Sequence, residues 1–223
     1  MKFEPIARPP QVDADAIQVT RLFPTPLATL VVPDHDRLDA ALKRAILDNA
    51  ARSAGVRFTN EGGWQSAHDF LAWSGPAGAE LVAFARAYAN ELSAVSLAEG
   101  GLVHASLDWQ LTVWANVNRK GDANALHGHP GAYWSGVYWV DDGREEGIDV
   151  GGELVFNDPR GLAPTLFAPN LKMRIAGCLS AGLTHAVQPM RGTFAIFPSW
   201  LLHSVTRYDG NRERISIAFN FAP

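Results

Sequence analysis

Three of the seven histidines stand where they can share an ion. His127 and His129 form the H-G-H of ANALHGHPGAYWSGVYWV, and His203 sits in FPSWLLHSV. On an extended strand residues i and i+2 point to the same side, so His127 and His129 converge. An imidazole from a nearby antiparallel strand, His203, closes a facial site of the kind that holds divalent first-row metals. The same H-x-H also suits a loop without metal. Past His203, Arg214 opens the segment RISIAFNF, and Ser216 follows two positions on, on the same face. A guanidinium fork beside a hydroxyl can grip a carboxylate, here that of a ligand on the metal. An arginine turned inward is too costly without an anionic partner, whether a protein carboxylate or a bound acid.

Such a constellation needs strands to hold it, and the C-terminal half supplies them. In LDWQLTVWANVN (107–118), Leu107, Trp109, Leu111, Val113, Ala115 and Val117 share one face. Asp108, Gln110, Thr112, Trp114, Asn116 and Asn118 share the other. RISIAFNF (214–221) alternates in the same way, with Ile215, Ile217, Phe219 and Phe221 against Arg214, Ser216, Ala218 and Asn220. YWSGVYWV (133–140), GELVF (152–156) and GTFAIF (192–197) read as further strands, with Asp-Gly and Gly-Gly turns between them. Upstream, 36–50 repeats Leu38, Leu42 and Ile46 at helical spacing, with Asp34 or Asp36 as cap. The stretch 78–97 carries an apolar stripe from Leu81 to Val95, and Gly100-Gly101 reads as its stop. The proline-rich entry at 19–32 suits a strand at a sheet edge. The expected fold is mainly β with flanking α-helices, a double-stranded β-helix (jelly roll, cupin-like) with the helices on one outer face. One domain over 1–223 is expected, with helical support over roughly 34–100 and the jelly-roll core over roughly 105–223.

Composition narrows the partners. The chain has 223 residues, 47% hydrophobic and 19% charged, with seven tryptophans and eleven phenylalanines, which excludes global disorder. A net charge of −4 and the lack of any Lys/Arg block argue against nucleic acid and anionic membrane. The single Cys178 excludes an intrachain disulfide and a multi-cysteine metal site. No apolar run is long enough to span a bilayer, and MKFEPIARPP lacks a signal-peptide core, so a soluble cytoplasmic protein is expected. A homodimer is compatible with all of this. His35, His68, His104 and His185 lack ligand spacing, and Arg212 lies in the turn before the last strand. Asp141, Asp142, Glu145 and Glu146 read as a solvated hairpin end. Asn116, Asn118, Ser135 and Tyr138 flank the histidine segment and are candidates to line the site; Asn116 and Ser135 are the two expected to touch a cofactor. The stretch 160–185 reads as a lid or substrate loop.

Taken together, GGWQS (62–66), NVNRKGDANALHGHPGAYWSGVYWV (116–140), GGELVFNDPR (151–160) and FPSWLLHSVTRYDGNRERISIAFNF (197–221) resemble the 2-oxoglutarate/Fe(II)-dependent oxygenases, specifically a branch of mostly unassigned substrate. The resemblance implies His127 and His203 as catalytic iron ligands. It implies Arg214, helped by Ser216, as the grip on the distal carboxylate of 2-oxoglutarate. It further implies Fe(II), 2-oxoglutarate and O2 as cofactor set, and hydroxylation of a small-molecule or peptidyl substrate with release of succinate and CO2. The chain departs from the usual pattern at His129, where most such enzymes carry Asp or Glu. Three completions follow: His129 as a third neutral ligand, two histidines with water, or a carboxylate from elsewhere, Glu153 or Asp158. His129 is the preferred reading, giving a metal set of His127, His129 and His203. Two other classes compete, a cupin-like three-histidine metalloenzyme without 2-oxoglutarate and a non-catalytic jelly-roll binding module. The Arg214/Ser216 pair argues against the first, and metal content would exclude the second.

Overall fold

The computed structural model describes residues 16–161, 167–173, 175, 177, 182 and 184–223. Along the chain run β1 (Ala28–Val31), α1 (His35–Arg52), β2 (Asn60–Glu61), β3 (Trp64–Gln65), α2 (Phe70–Trp73), α3 (Gly75–Glu91), β4 (Val95–Ser96) and β5 (Leu102–Val103). There follow β6 (Gln110–Asn118), β7 (Ala123–His127), β8 (Trp134–Asp141), β9 (Leu154–Asn157), β10 (Thr184–Val187), β11 (Thr193–Pro198), β12 (His203–Val205) and β13 (Arg214–Ala222).

The strands form two antiparallel sheets of a jelly roll. One has the order β1-β11-β8-β13-β6-β3 and the other β10-β9-β12-β7-β2. The alternation read in β6 and β13 decides which way each face of the larger sheet looks. Trp109, Val113, Ala115, Val117, Ile215, Ile217, Phe219 and Phe221 turn outward and bury against α1 and α3, through Leu38, Leu42, Ile46, Leu81 and Ala85. The opposite face looks across at the smaller sheet, where Trp139, Ala195 and Phe197 pack on Leu154, Phe156 and Leu201. At the β1 edge the proline-rich entry joins the larger sheet beside β11, as expected.

The hairpin of β2 and β3 ties the two sheets together at one side. β2 pairs with β7 of the smaller sheet, and β3 with β6 of the larger. Its turn is Gly62-Gly63, both at positive φ, and a Cβ on Gly62 would meet the Asp122 carboxylate at 2.2 Å. Only glycine fits that turn. The stretch 34–100 therefore contributes strands of the roll as well as helices.

Several local expectations are corrected. Helix α3 stops at Glu91, and Val95 lies in β4; Gly100 and Gly101 turn the β4–β5 hairpin and do not end the helix. Asp34 sits at the N-terminus of α1 with a left-handed backbone and makes no side-chain capping bond. Asp141 is buried and paired with Lys43 at 2.7 Å and with Arg212 at 3.5 Å, so it is no solvated hairpin end. Tyr138 faces the helices, where its hydroxyl donates to Asp39 at 2.5 Å. Cys178 and most of the proposed 160–185 loop lie outside the described residues.

Candidate functional site

Pairing of β12 with β7 sets His203 directly opposite His127, and the i+2 rule brings His129 to the same side. The three rings lie 4.4 to 5.2 Å apart by centroid. One nitrogen of each lies within 4.8 Å of the others, and they form the metal-competent cluster among the described residues. His127 Nδ1 lies 2.7 Å from the Ala125 carbonyl, and His203 Nδ1 lies 2.8 Å from the Leu201 carbonyl. A carbonyl only accepts, so each Nδ1 carries the proton and each Nε2 keeps its lone pair for a ligand.

The imidazoles are held neutral. Burial, reinforced by the neighbouring imidazoles, brings His129 down to about 3 and His203 down to about 4, and burial lowers His127 as well. Phe197 and Phe156 pack on the His203 ring at 4.8 and 5.9 Å, and Trp114 on His129 at 5.8 Å. Three neutral nitrogen donors in an apolar surround fit a divalent first-row ion.

A cavity of about 540 Å³ runs from this cluster between the sheets, with Arg214 and Ser216 on its lining. Arg214 is 2% exposed, and no carboxylate lies within ion-pair distance of it among the described residues. Among the described residues its hydrogen-bond partner is Asn118, whose Oδ1 accepts at 3.3 Å, and its Nε is buried without one. Burial lowers its pKa to about 10, so the guanidinium stays charged at neutral pH. The indole N–H of Trp139, a cavity residue that is the register partner of Ser216, is also buried and unpaired. A buried cation and an orphaned donor on one cavity fit an acid bound beside the histidines.

Of the other expected residues, Asn116 lines the cavity opposite Ser216. Ser135 does not line it: its hydroxyl donates to Asn220 Oδ1 at 2.8 Å, and Asn220 is the lining residue. Asn118, opposite Arg214 on the neighbouring strand, accepts its hydrogen bond. The carboxylates weighed as ligands are engaged elsewhere. Glu153 accepts from Thr206 and Gln188, and Asp158 pairs with Arg160 and accepts from Gly182 N–H. Lining residues that the spacing did not single out are Gln65, His68, Phe58, Trp139, Asn124 and Asn220. The alternation of RISIAFNF already placed Asn220 on the face of Arg214, and that was the one available signal for it.

Comparison with known proteins agrees with this geometry. Residues 112–220 match the protein family described as "Putative 2OG-Fe(II) oxygenase". No curated protein matches the chain. Among solved structures, a prolyl-4-hydroxylase from Pseudomonas putida is similar at 17% identity and TM-score 0.59, over 88% of this chain and 91% of that one. A prolyl hydroxylase from Trichoplax adhaerens, in complex with a hypoxia inducible factor peptide fragment, aligns at 10% identity and TM-score 0.62, over 88% and 83%. HygX from Streptomyces hygroscopicus, with nickel and 2-oxoglutarate bound, aligns at 12% identity and TM-score 0.59, over 89% and 83%. These likenesses establish the jelly-roll fold. The stretch that matches this family of 2OG-Fe(II) oxygenases, residues 112–220, is the one that carries the three histidines, Arg214 and Ser216.

Proposed function

We propose that the protein is an Fe(II)- and 2-oxoglutarate-dependent dioxygenase that hydroxylates its substrate with release of succinate and CO2. The observation that carries the reading is Arg214: a buried guanidinium without a carboxylate partner, on the same cavity as three neutral imidazoles. His127, His129 and His203 would hold the iron through ring nitrogens, with the first and last aimed by their backbone carbonyls. Arg214, with Ser216 beside it on the strand, would hold the far carboxylate of 2-oxoglutarate, and Asn118 keeps the guanidinium turned toward the cavity. When bound, iron, 2-oxoglutarate and O2 supply oxidative decarboxylation and the insertion of an oxygen atom into a C–H bond. The protein's share is placement, a charge partner for the acid, and exclusion of water by Trp114, Trp139 and Phe197.

With three imidazoles the ligand set is uncharged, so the metal keeps one more positive charge than with a carboxylate ligand, which favours a dianionic co-substrate. The substrate is proposed to be a small molecule or a peptidyl group.

Anaerobic addition of Fe(II) and 2-oxoglutarate is expected to give a visible metal-to-ligand charge-transfer band, and air to give succinate. The band should vanish in His203→Ala, and in His129→Ala iron affinity should fall by an order of magnitude or more. Absence of both band and succinate in the wild-type protein would overturn the reading, and unchanged iron affinity in His129→Ala would remove that residue from the ligand set.

A further inference from the structure

The cavity is longer than an acid held between Arg214 and the histidines requires. Arg214, Ser216, Ala218 and Asn220 line it from one strand, and the run from Arg214 to Asn220 covers about 20 Å at the rise of a β-strand. Under the oxygenase reading, on which this inference rests, the Arg214–Ser216 end belongs to the co-substrate. The other end is left for the substrate.

That end has a definite chemistry. No Asp, Glu or Lys lines the cavity among the described residues, and Arg214 is the sole permanent charge on its wall. What lines it instead is carboxamide. Gln65 pairs with Asn116 and so stands level with Ser216, at the co-substrate end; Asn220 is the carboxamide of the other end. Asn220 accepts the Ser135 hydroxyl at its oxygen, which leaves its N–H2 unpaired. Asn220 is half-buried on the cavity wall, so its N–H2 is open to an acceptor that a ligand would bring. Beside them stands a row of rings. Phe58, 68% exposed at the rim, stacks on His68 at 5.7 Å and 9° between planes; His68 meets Trp114 at 5.5 Å, and Trp114 meets His129. The row leads from solvent to the histidine cluster.

We propose that the substrate offers this outer half an uncharged, amide-bearing group, with an apolar portion against the Phe58–His68–Trp114 row and its amide carbonyl on the Asn220 N–H2. Ser135 is then a positioning residue, since it fixes which end of the Asn220 amide faces the cavity. An ammonium or carboxylate on that part of the substrate would be stripped of water with no counter-charge to meet it.

The test uses the iron-loaded enzyme with 2-oxoglutarate and reads succinate formation above the probe-free rate. Probes are N-acetyl amino-acid N-methylamides with apolar side chains, the same compounds with a free carboxylate or free amine, and uncharged blocked tetrapeptides. The blocked amides or peptides are expected to exceed their charged counterparts at least tenfold in kcat/KM. Response to single blocked residues identifies a small amide as sufficient, while response to tetrapeptides alone identifies a peptide segment; both support the class. Asn220→Asp should shift the ratio of blocked to amine-bearing probes at least tenfold toward the amine, with Asn220→Ser as a second variant expected to raise KM for blocked probes several-fold. Equal or better turnover of charged probes, or no stimulation by any uncharged amide while the charge-transfer band is intact, overturns the inference and leaves the oxygenase reading standing. Loss of the band itself in the wild-type protein overturns the oxygenase reading.

Discussion

A guanidinium buried among apolar and neutral groups costs several kcal/mol when nothing anionic answers it. Arg214 is in that position, with Asn118 as its hydrogen-bond partner among the described residues. Its replacement by Met should therefore leave the metal-free protein as stable as the wild type or more so, while raising the 2-oxoglutarate requirement about 100-fold or more. Calorimetry on the metal-free protein and titration of the charge-transfer band check the two halves; a large loss of thermal stability would show the arginine to be structural. At this scale the parity of a strand made most of the site readable. His127 with His129, and Arg214 with Ser216, share faces because two positions separate them. The same parity explains the miss at Tyr138, which is an odd number of positions from Ser135 and so turns to the helices, while Trp139 turns to the cavity. Gln65 carried no signal, because its place is set by the pairing of β3 with β6, a contact between distant stretches of chain.

Among the elements, β12 and β13 carry His203 and Arg214, and the turn leading into β9 supports them. Gly152 adopts a φ of +77°, and a Cβ there would lie 3.0 Å from Arg214 Cδ, 3.1 Å from its Nε and 3.3 Å from the Tyr208 ring. Gly152→Ala should destabilise the fold by about 1–3 kcal/mol through backbone strain and crowding. It should also weaken 2-oxoglutarate binding, because Arg214 is displaced; denaturant unfolding and band titration on the same variant separate the effects. Strands with a two-residue period were legible with near-correct bounds, since one face of each is apolar and packs on the helices. The end of α3 was not. Apolar residues continue at helical spacing to Val95, yet that residue belongs to a two-residue strand whose pairing with Val103 is tertiary and leaves no local trace.

For the molecule as a whole, the neutral histidines couple stability to pH. His129 and His203 titrate near 3 and 4 in the fold and near 6.5 in the unfolded chain. Between those values the unfolded chain binds protons that the native site refuses, so stability falls as pH drops from about 6.5 toward 4. Burial raises the Asp39 carboxyl, which acts in the opposite sense as acid is added, but it is one group against the histidine cluster. The midpoint of thermal unfolding of the metal-free protein should decline through this window. Anaerobic Fe(II) should raise the midpoint at pH 7 and lose that effect in acid, because metal and proton compete for the same nitrogens. A flat profile from pH 7 to 4 would contradict the neutral cluster. No helix among the described residues is long and apolar enough to cross a membrane.

The β2–β3 hairpin has a further consequence. It places Gln65 on the cavity wall, and with Phe58 and His68 it comes from residues 58–68, whereas the three histidines and Arg214 all lie within 112–220. Part of the wall proposed to meet the substrate, Phe58 and His68, and the proposed ligands of iron and 2-oxoglutarate thus lie in separate stretches of chain that meet only on folding. Exchange of residues 58–68 would remodel one side of the cavity without replacing His127, His129, His203 or Arg214, so that side can vary independently of the histidine cluster.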